Sequence, residues 1–368
     1  MPRPIQATVH RAALRHNLQR LRHAAGGAKV WAVVKANAYG HGIVHVFDAL
    51  RGADGFALLD LDEAERVRAL GWRGPVLLLE GVFEARDLEL CSRLDLWHTV
   101  HCDEQIDMLA AHKTHVPHRV FLKLNSGMNR LGFVPSRYRA AWTRLNALPQ
   151  VSEISLMTHF SDADGALGIT AQSALFDAVC ADLPGERSVA NSAATLRYMG
   201  ADSAHVLESD WVRPGIATYG SAPDYPQHDA AYWDLQPAMS LSARIIAVQD
   251  LQPGDSVGYG SSFVAEQAMR IGIVACGYAD GYPRLCPTGT PVLLGSVLSR
   301  TIGRISMDML SVDLGPVPDA AIGTEVTLWG RSTSGRVLDI DAVALSAGTL
   351  GYELMCALAL RVPVHAFD

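Results

Sequence analysis

The run AVVKANAYGHG (32–42) begins as a buried strand, then places Lys35 where the apolar residues should continue, with Tyr39 four residues on. A lysine that leaves a dry strand for a polar mouth loses part of its hydration. Its amine pKa falls, and it becomes nucleophilic enough to hold a carbonyl compound as an imine. Other residues able to do chemistry stand at or near the ends of later apolar runs. Arg130 follows RVFLKLN (119–125), His159 ends ISLMTHF (154–160), Asn191 and Ser192 end RSVANS (187–192), and Arg213 lies in WVRPGIATYG (211–220). Each has a plainer reading when taken alone, since a strand-end lysine snorkels to solvent and a lone histidine usually sits satisfied in a core. At one mouth of one barrel they form a set.

The elements that must position them follow a regular beat. After an opening helix over about 11–25 come the runs VWAVVKA (30–36), GFALLD (55–60), PVLLLE (75–80), LWHTV (96–100), and then RVFLKLN, ISLMTHF, RSVANS and WVRPGIATYG. Helical stretches such as DEAERVRALGW, CDEQIDMLAAH and TAQSALFDAVCADL separate them. Strands alternating with helices in this way predict a parallel (β/α)8 TIM-like barrel, whose chemistry collects at the C-terminal ends of its strands. The loops after the seventh and eighth strands often make a phosphate pocket. Here they offer Ser192, Ala193, Ala194, Gly215 and Ile216, small residues with backbone N–H groups to spare. A barrel enzyme using pyridoxal phosphate is the reading these residues support.

Near residue 225 the beat changes. LSARIIAVQDL, DSVGYG, MRIGIVACGYA, PVLLG, SRTIGRISMDMLSVDL and EVTLWG succeed one another with turns at Pro253-Gly254-Asp255, Pro287-Thr288-Gly289 and Gly315-Pro316. This predicts a barrel domain over 1–228 and a mainly-β domain over 229–368, the first residues of the chain packing with the latter. One helical stretch, IDAVALSAGTLG (340–351), is expected within it.

Composition narrows the function classes. The 368 residues are 49% hydrophobic and 19% charged, with net charge 31 − 38 = −7. Acidity without a basic run argues against nucleic acid, and no apolar run reaches membrane-spanning length. No signal-like core opens the chain, so a cytoplasmic location is expected. Six scattered cysteines without CxxC spacing point to free thiols and no metal site, with Cys91, Cys180 and Cys356 expected to be buried.

In order along both domains, AVVKANAYGHG, LKLNSGMNRLGF, MTHF, ANSAA, VRPGIATYG, VGYGSSF, GYADGYPR, GRISMDMLSVD and GYELMCALALRVP resemble the alanine racemase family. The resemblance implies an isomerase that interconverts L- and D-alanine, supplying D-alanine for peptidoglycan or catabolising it. It implies that Lys35 carries pyridoxal 5′-phosphate. Tyr39, Ser192, Gly215, Ile216 and Tyr352 would hold the phosphate, and Arg213 would face the pyridine nitrogen with His159 behind it. Tyr259, reaching in from a second subunit, would be the base opposite Lys35, which makes the enzyme a homodimer with shared active sites. Arg130 would meet the substrate carboxylate, Met307 and Asp308 would line the site from the partner, and Tyr278 and Tyr282 would narrow its entry. Lys123 matches a lysine often carbamylated in the family, although Asn125 stands where many members have aspartate. Related barrel enzymes that decarboxylate basic amino acids pair the ring nitrogen with a glutamate, which Arg213 opposes. Broad-specificity racemases are often exported, and barrel-only pyridoxal phosphate carriers lack the second domain.

Overall fold

The computed structural model describes residues 3–199 and 207–368. Two compact units emerge: one from Asn17–Ala38 and Phe47–Thr218, the other from the N-terminal stretch to His16, Tyr39–Val46 and Tyr219–Asp368. Strand β1 (Ile5–His10) belongs to the second unit.

The first unit is a parallel barrel. Its strands are β2 (Lys29–Val33), β3 (Gly55–Leu58), β4 (Val76–Leu78), β5 (Trp97–Val100), β6 (His118–Lys123), β7 (Val151–Met157), β8 (Arg187–Ser188) and β9 (Trp211–Val212); β2 to β8 pair in sequence order, and β9 pairs with β2. The Asp210 and Arg213 N–H groups donate to the Arg187 and Ala190 carbonyls, both at 2.8 Å, and so close the ring between β8 and β9. These last two strands are much shorter than their apolar runs. Asn191 ends one by capping the helix Ser192–Tyr198, its Oδ1 accepting the Ala194 N–H at 2.9 Å. Pro214 ends the other, because it has no N–H to continue a ladder. Near the starts of β2, β5 and β9, Trp31 stacks on Trp211 at 4.2 Å and meets Trp97 edge-on at 5.5 Å. Burying an indole contributes about 4–6 kcal/mol from apolar area alone, so this plug fixes the end of the barrel remote from the strand C-termini.

In the second unit, β10 (Met239–Leu251) pairs with β1, with β13 (Met269–Val274) and with β17 (Glu325–Arg331). Its register slips at Leu241/Ser242 and at Ile245/Ala247, so one long strand serves several partners. β14 (Pro291–Leu294), β15 (Val297–Ile302), β16 (Leu310–Asp313), β18 (Val337–Leu338) and β19 (Val364–Phe367) complete a nine-stranded sheet, and β11 (Ser256–Val257) with β12 (Phe263–Val264) form a separate hairpin. The expected single helix over 340–351 is two, Ile340–Ser346 and Gly351–Cys356, because Gly348 turns to φ +72° between them. Cys356, expected to be buried, is exposed at the end of the second. No helix among the described residues is long and apolar enough to cross a membrane.

Candidate active site

At the C-terminal mouth of the barrel, β2 gives way to a backbone rarely seen in L-residues. Ala36, Asn37, Ala38 and Tyr39 take φ of 53°, 52°, 58° and 50°, a left-handed helical turn without a glycine. Each such residue costs about 1–2 kcal/mol. One local and one tertiary bond hold the turn: the Ala38 N–H reaches the Val34 carbonyl at 2.7 Å, and the Asn37 N–H reaches Glu63 Oε1 at 2.6 Å. Strain maintained this way marks a functional constraint. The turn sets Lys35 and Tyr39 one helical repeat apart.

Around the same mouth stand Lys123 at the end of β6, Arg130 in the loop beyond it, His159 after β7 and Arg213 after β9. Arg213 is buried and held by four contacts: Nη1 donates to Ser188 O and Oγ, both at 2.6 Å, and Nη2 donates to Thr158 O at 2.6 Å and meets His159 Nδ1 at 3.4 Å. Burial lowers its pKa to about 10, leaving it charged at neutral pH. Burial, reinforced by Arg213, Lys123, Arg130 and Lys35, holds His159 well below the usual histidine range. A neutral His159 accepting at Nδ1 carries its proton on Nε2. Lys123 falls to about 8, first through burial and then through Arg213 and Arg130, with Glu80 opposing and Lys35 adding to the depression. Arg213, Arg130 and Lys35 thus press on Lys123, and Glu80 opposes them. That donor set fits an anion-bearing cofactor and a carboxylate substrate.

Asn125 organises the loop between Lys123 and Arg130. Its Oδ1 accepts from the Gly127 and Asn129 N–H groups at 3.1 and 3.0 Å, and its Nδ2 donates to Asn129 Oδ1 at 3.0 Å. An amide here keeps the acceptor of an aspartate and adds a donor. Across the mouth, Ser192 Oγ accepts the Gly215 N–H at 2.9 Å and the Ala217 N–H at 3.3 Å, which brings Ser192, Gly215 and Ile216 into one cradle. The Gly215 N–H is engaged within the protein.

The second unit carries the remaining candidates. Tyr39 packs against Tyr219 at 4.7 Å and Tyr352 at 6.0 Å. Burial, then Tyr352 and Cys356, raises its phenol well above the ordinary value, so its hydroxyl is a donor at any working pH. Tyr259 sits in the turn between β11 and β12, three-quarters exposed (75%), between Gly258 at φ 73° and Gly260 at φ 74°. Tyr278 and Met307 come together because the Tyr278 N–H reaches Ser306 O and the Ala279 N–H reaches Met307 O, both at 3.0 Å. Gly277 permits the approach, since a Cβ there would lie 2.3 Å from Ser306 O. Asp308 pairs with Arg361 at 2.7 Å and Arg3 at 3.2 Å. Tyr282 departs from expectation: it is fully buried, stacked on Trp329 at 6.1 Å, and lines no entry. Glu63, which braces the left-handed turn, escaped sequence reasoning, because an acidic residue in an exposed-looking helix carries no distinguishing signal.

Fold and site together define a two-domain barrel enzyme whose mouth presents Lys35 among several other cations. Residues 9–223 match the model of the alanine racemase N-terminal domain, and residues 238–366 match that of the C-terminal domain. The chain belongs to the alanine racemase family. It is 72% identical to an alanine racemase of Albidiferax ferrireducens over 374 residues, covering all of both chains, and 72% identical to one of Variovorax paradoxus over 369 residues, again covering all of both. Among solved structures, the biosynthetic alanine racemase from Pseudomonas aeruginosa superposes with a TM-score of 0.92 at 46% identity, covering 100% of each chain. That from Acinetobacter baumannii gives 0.90 at 35% identity, covering 99% of this chain and 100% of its own.

Proposed function

We propose that this chain is an alanine racemase, an isomerase that interconverts L- and D-alanine in the cytoplasm as a homodimer, with pyridoxal 5′-phosphate on Lys35. The observation that carries this reading is the lysine that follows β2 and opens a strained turn, among Lys123, Arg130 and Arg213. When bound, pyridoxal phosphate supplies an electron-withdrawing ring that acidifies the substrate Cα–H. Tyr39, Tyr352 and Ser192 would hold its phosphate through their hydroxyls and Ile216 through its backbone N–H, with Gly215, whose N–H is held by Ser192, shaping the cradle. Arg213 would donate toward the ring nitrogen and, being a guanidinium, could not accept a proton in exchange. Its bonds to Ser188, Thr158 and His159 keep it from turning away. That arrangement keeps electron withdrawal modest and limits side reactions.

Lys35 takes or returns the proton on one face of Cα, and Tyr259 of the partner subunit serves the other. Arg130 receives the substrate carboxylate, with Lys123 beside it as a carbamate that turns a like-charge neighbour into an ion-pair partner. Tyr278, Met307 and Asp308 restrict the side chain to about the size of a methyl group. The product serves peptidoglycan synthesis or the reaction runs toward catabolism. The test is chiral analysis of purified protein incubated with alanine, serine, lysine and arginine. Rapid interconversion of alanine alone supports the reading, and preference for a basic amino acid or release of an amine sinks it.

A further inference from the structure

The turns that carry Tyr278 and Met307 have no regular sheet to hold them, yet they are tied to a distant part of the same unit through one buried carboxylate. Asp280 is fully buried. It accepts from the Gly277 N–H at 2.9 Å, from Arg361 Nε at 2.7 Å and from Arg3 Nη2 at 3.3 Å. Arg361 spans onward, its Nη2 reaching Asp308 Oδ1 at 2.7 Å. Arg3 does the same, with Nη1 on Asp308 Oδ1 at 3.2 Å and Nη2 on the Asp308 carbonyl at 2.6 Å. Two carboxylates and two guanidiniums therefore alternate in a closed square. Three segments meet there beside Arg3: 277–281, 306–308 and 357–361. The contact with the third is close, because a Cβ on Gly281 would lie 2.4 Å from the Ala357 carbonyl and the Ala359 N–H donates to Asp280 O at 3.2 Å.

A charged residue at full burial needs a reason, since burying it is costly unless it is paired and hydrogen-bonded. Apolar packing could have joined these segments at lower cost. The square adds direction: the Arg361 fork fixes the angle between two carboxylates, and thereby where Met307 and Tyr278 stand. Both of those side chains are exposed large apolar groups, Met307 at 53% and Tyr278 at 38%.

From this geometry we infer that Arg361 and Asp280 are positioning residues for substrate selection: they hold the Met307–Asp308 turn and Tyr278 at the spacing that admits alanine and turns away larger side chains. The inference rests on the proposed alanine racemase activity and goes beyond it by assigning selectivity to groups that touch neither cofactor nor substrate.

Steady-state kinetics of the holoenzyme on alanine and serine test it, using Arg361→Gln, Arg361→Lys, Asp308→Asn and the double variant Arg361→Gln/Asp308→Asn, with cofactor content and thermal midpoint measured for each. Loss of a charge-assisted hydrogen bond predicts that Arg361→Gln raises the alanine KM about tenfold with kcat nearly unchanged. The preference for alanine over serine should shrink by a similar factor while cofactor content stays at the wild-type level. Lysine reaches only one carboxylate, so Arg361→Lys should recover part of the loss. The double variant should lose clearly less than the sum of the two single ones, because both remove the Arg361–Asp308 contact. Should Arg361→Gln fail to fold, the Lys variant and Asp308→Asn carry the same comparison. A lower thermal midpoint with unchanged KM and preference, kcat and cofactor content falling together, or additive effects in the double variant would each overturn the inference. Wild-type protein inert toward alanine would overturn both this inference and the activity beneath it, whereas an active wild type with indifferent variants overturns this inference alone.

Discussion

Lys123 provides a quantitative check on the cationic mouth. Its amine sits at about 8 instead of 10.5, because burial and the guanidiniums of Arg213 and Arg130 disfavour its charged form. At pH 7.5 roughly one amine in four is then neutral, against about one in a thousand at the ordinary value. Only the neutral amine attacks carbon dioxide: its nitrogen forms the new N–C bond, a proton leaves, and the resulting anion lies among cations. The depression also has a stability consequence. The unfolded chain binds more protons than the folded one between about pH 8 and 10.5, so stability rises with pH through that window. Below it the buried ammonium costs about 3 kcal/mol. In cofactor-free protein, Lys123→Met should therefore raise the unfolding free energy by up to about 3 kcal/mol at pH 7, and the advantage should fade above pH 10. Chemical denaturation across pH measures this. Carbon NMR with isotopically labelled bicarbonate should show one carbamate signal in the wild type and none in Lys123→Met. A variant no more stable at pH 7, together with no carbamate in the wild type, would refute the view that this lysine is depressed by its neighbours.

Other parts of the structure give further expectations. Ala36 is exposed at φ 53°, so Ala36→Gly should stabilise the protein by about 1 kcal/mol; a melt unchanged or lowered would deny the strain. His98 and His118 are pushed down to about 3 and about 4, chiefly by burial, and neither ring nitrogen of His98 has a hydrogen-bond partner. The unfolded chain binds more protons below pH 6.5, so stability should fall by several kcal/mol as pH drops from 6.5 toward 4, and His98→Leu should flatten that slope in denaturant titrations. Borohydride treatment of the holoenzyme should fix the cofactor to the peptide containing residues 32–42, and a label on any other lysine would move the site. Arg213→Glu should slow racemisation and increase keto-acid formation from alanine, because a glutamate stabilises a protonated ring nitrogen; an unchanged product ratio would remove Arg213 from the ring.

The alternation of apolar runs with amphipathic stretches made the barrel legible, since each run had to be buried on both faces. The lengths of β8 and β9 were not, because Asn191 and Pro214 end pairing through capping and a missing donor that an apolar pattern does not register. Lys35, His159 and Arg213 were legible from their places at strand ends. The left-handed turn was hidden: Ala36, Asn37, Ala38 and Tyr39 have no local preference for it, and it depends on tertiary partners such as Glu63, 26 residues away. Tyr259 between two glycines reads as an ordinary turn aromatic, and only the family resemblance gave it a role. Tyr282 was misplaced for a related reason, because a GYADGY pattern does not say which tyrosine turns inward. The square of Arg3, Asp280, Asp308 and Arg361 joins residues up to 305 apart, and no periodicity reports such a contact.

Two bases on opposite faces of one carbon are the centre of this account, and proton exchange in deuterium oxide tests them directly. L-alanine and D-alanine are incubated separately with wild-type holoenzyme and with Tyr259→Phe, and loss of the Cα–H signal is followed by NMR. The wild type should exchange both enantiomers. In Tyr259→Phe, with Lys35 intact, exchange should persist for one enantiomer and fall at least about a hundredfold for the other. Equal loss for both enantiomers, or no loss for either, would contradict the assignment of Lys35 and Tyr259 to opposite faces.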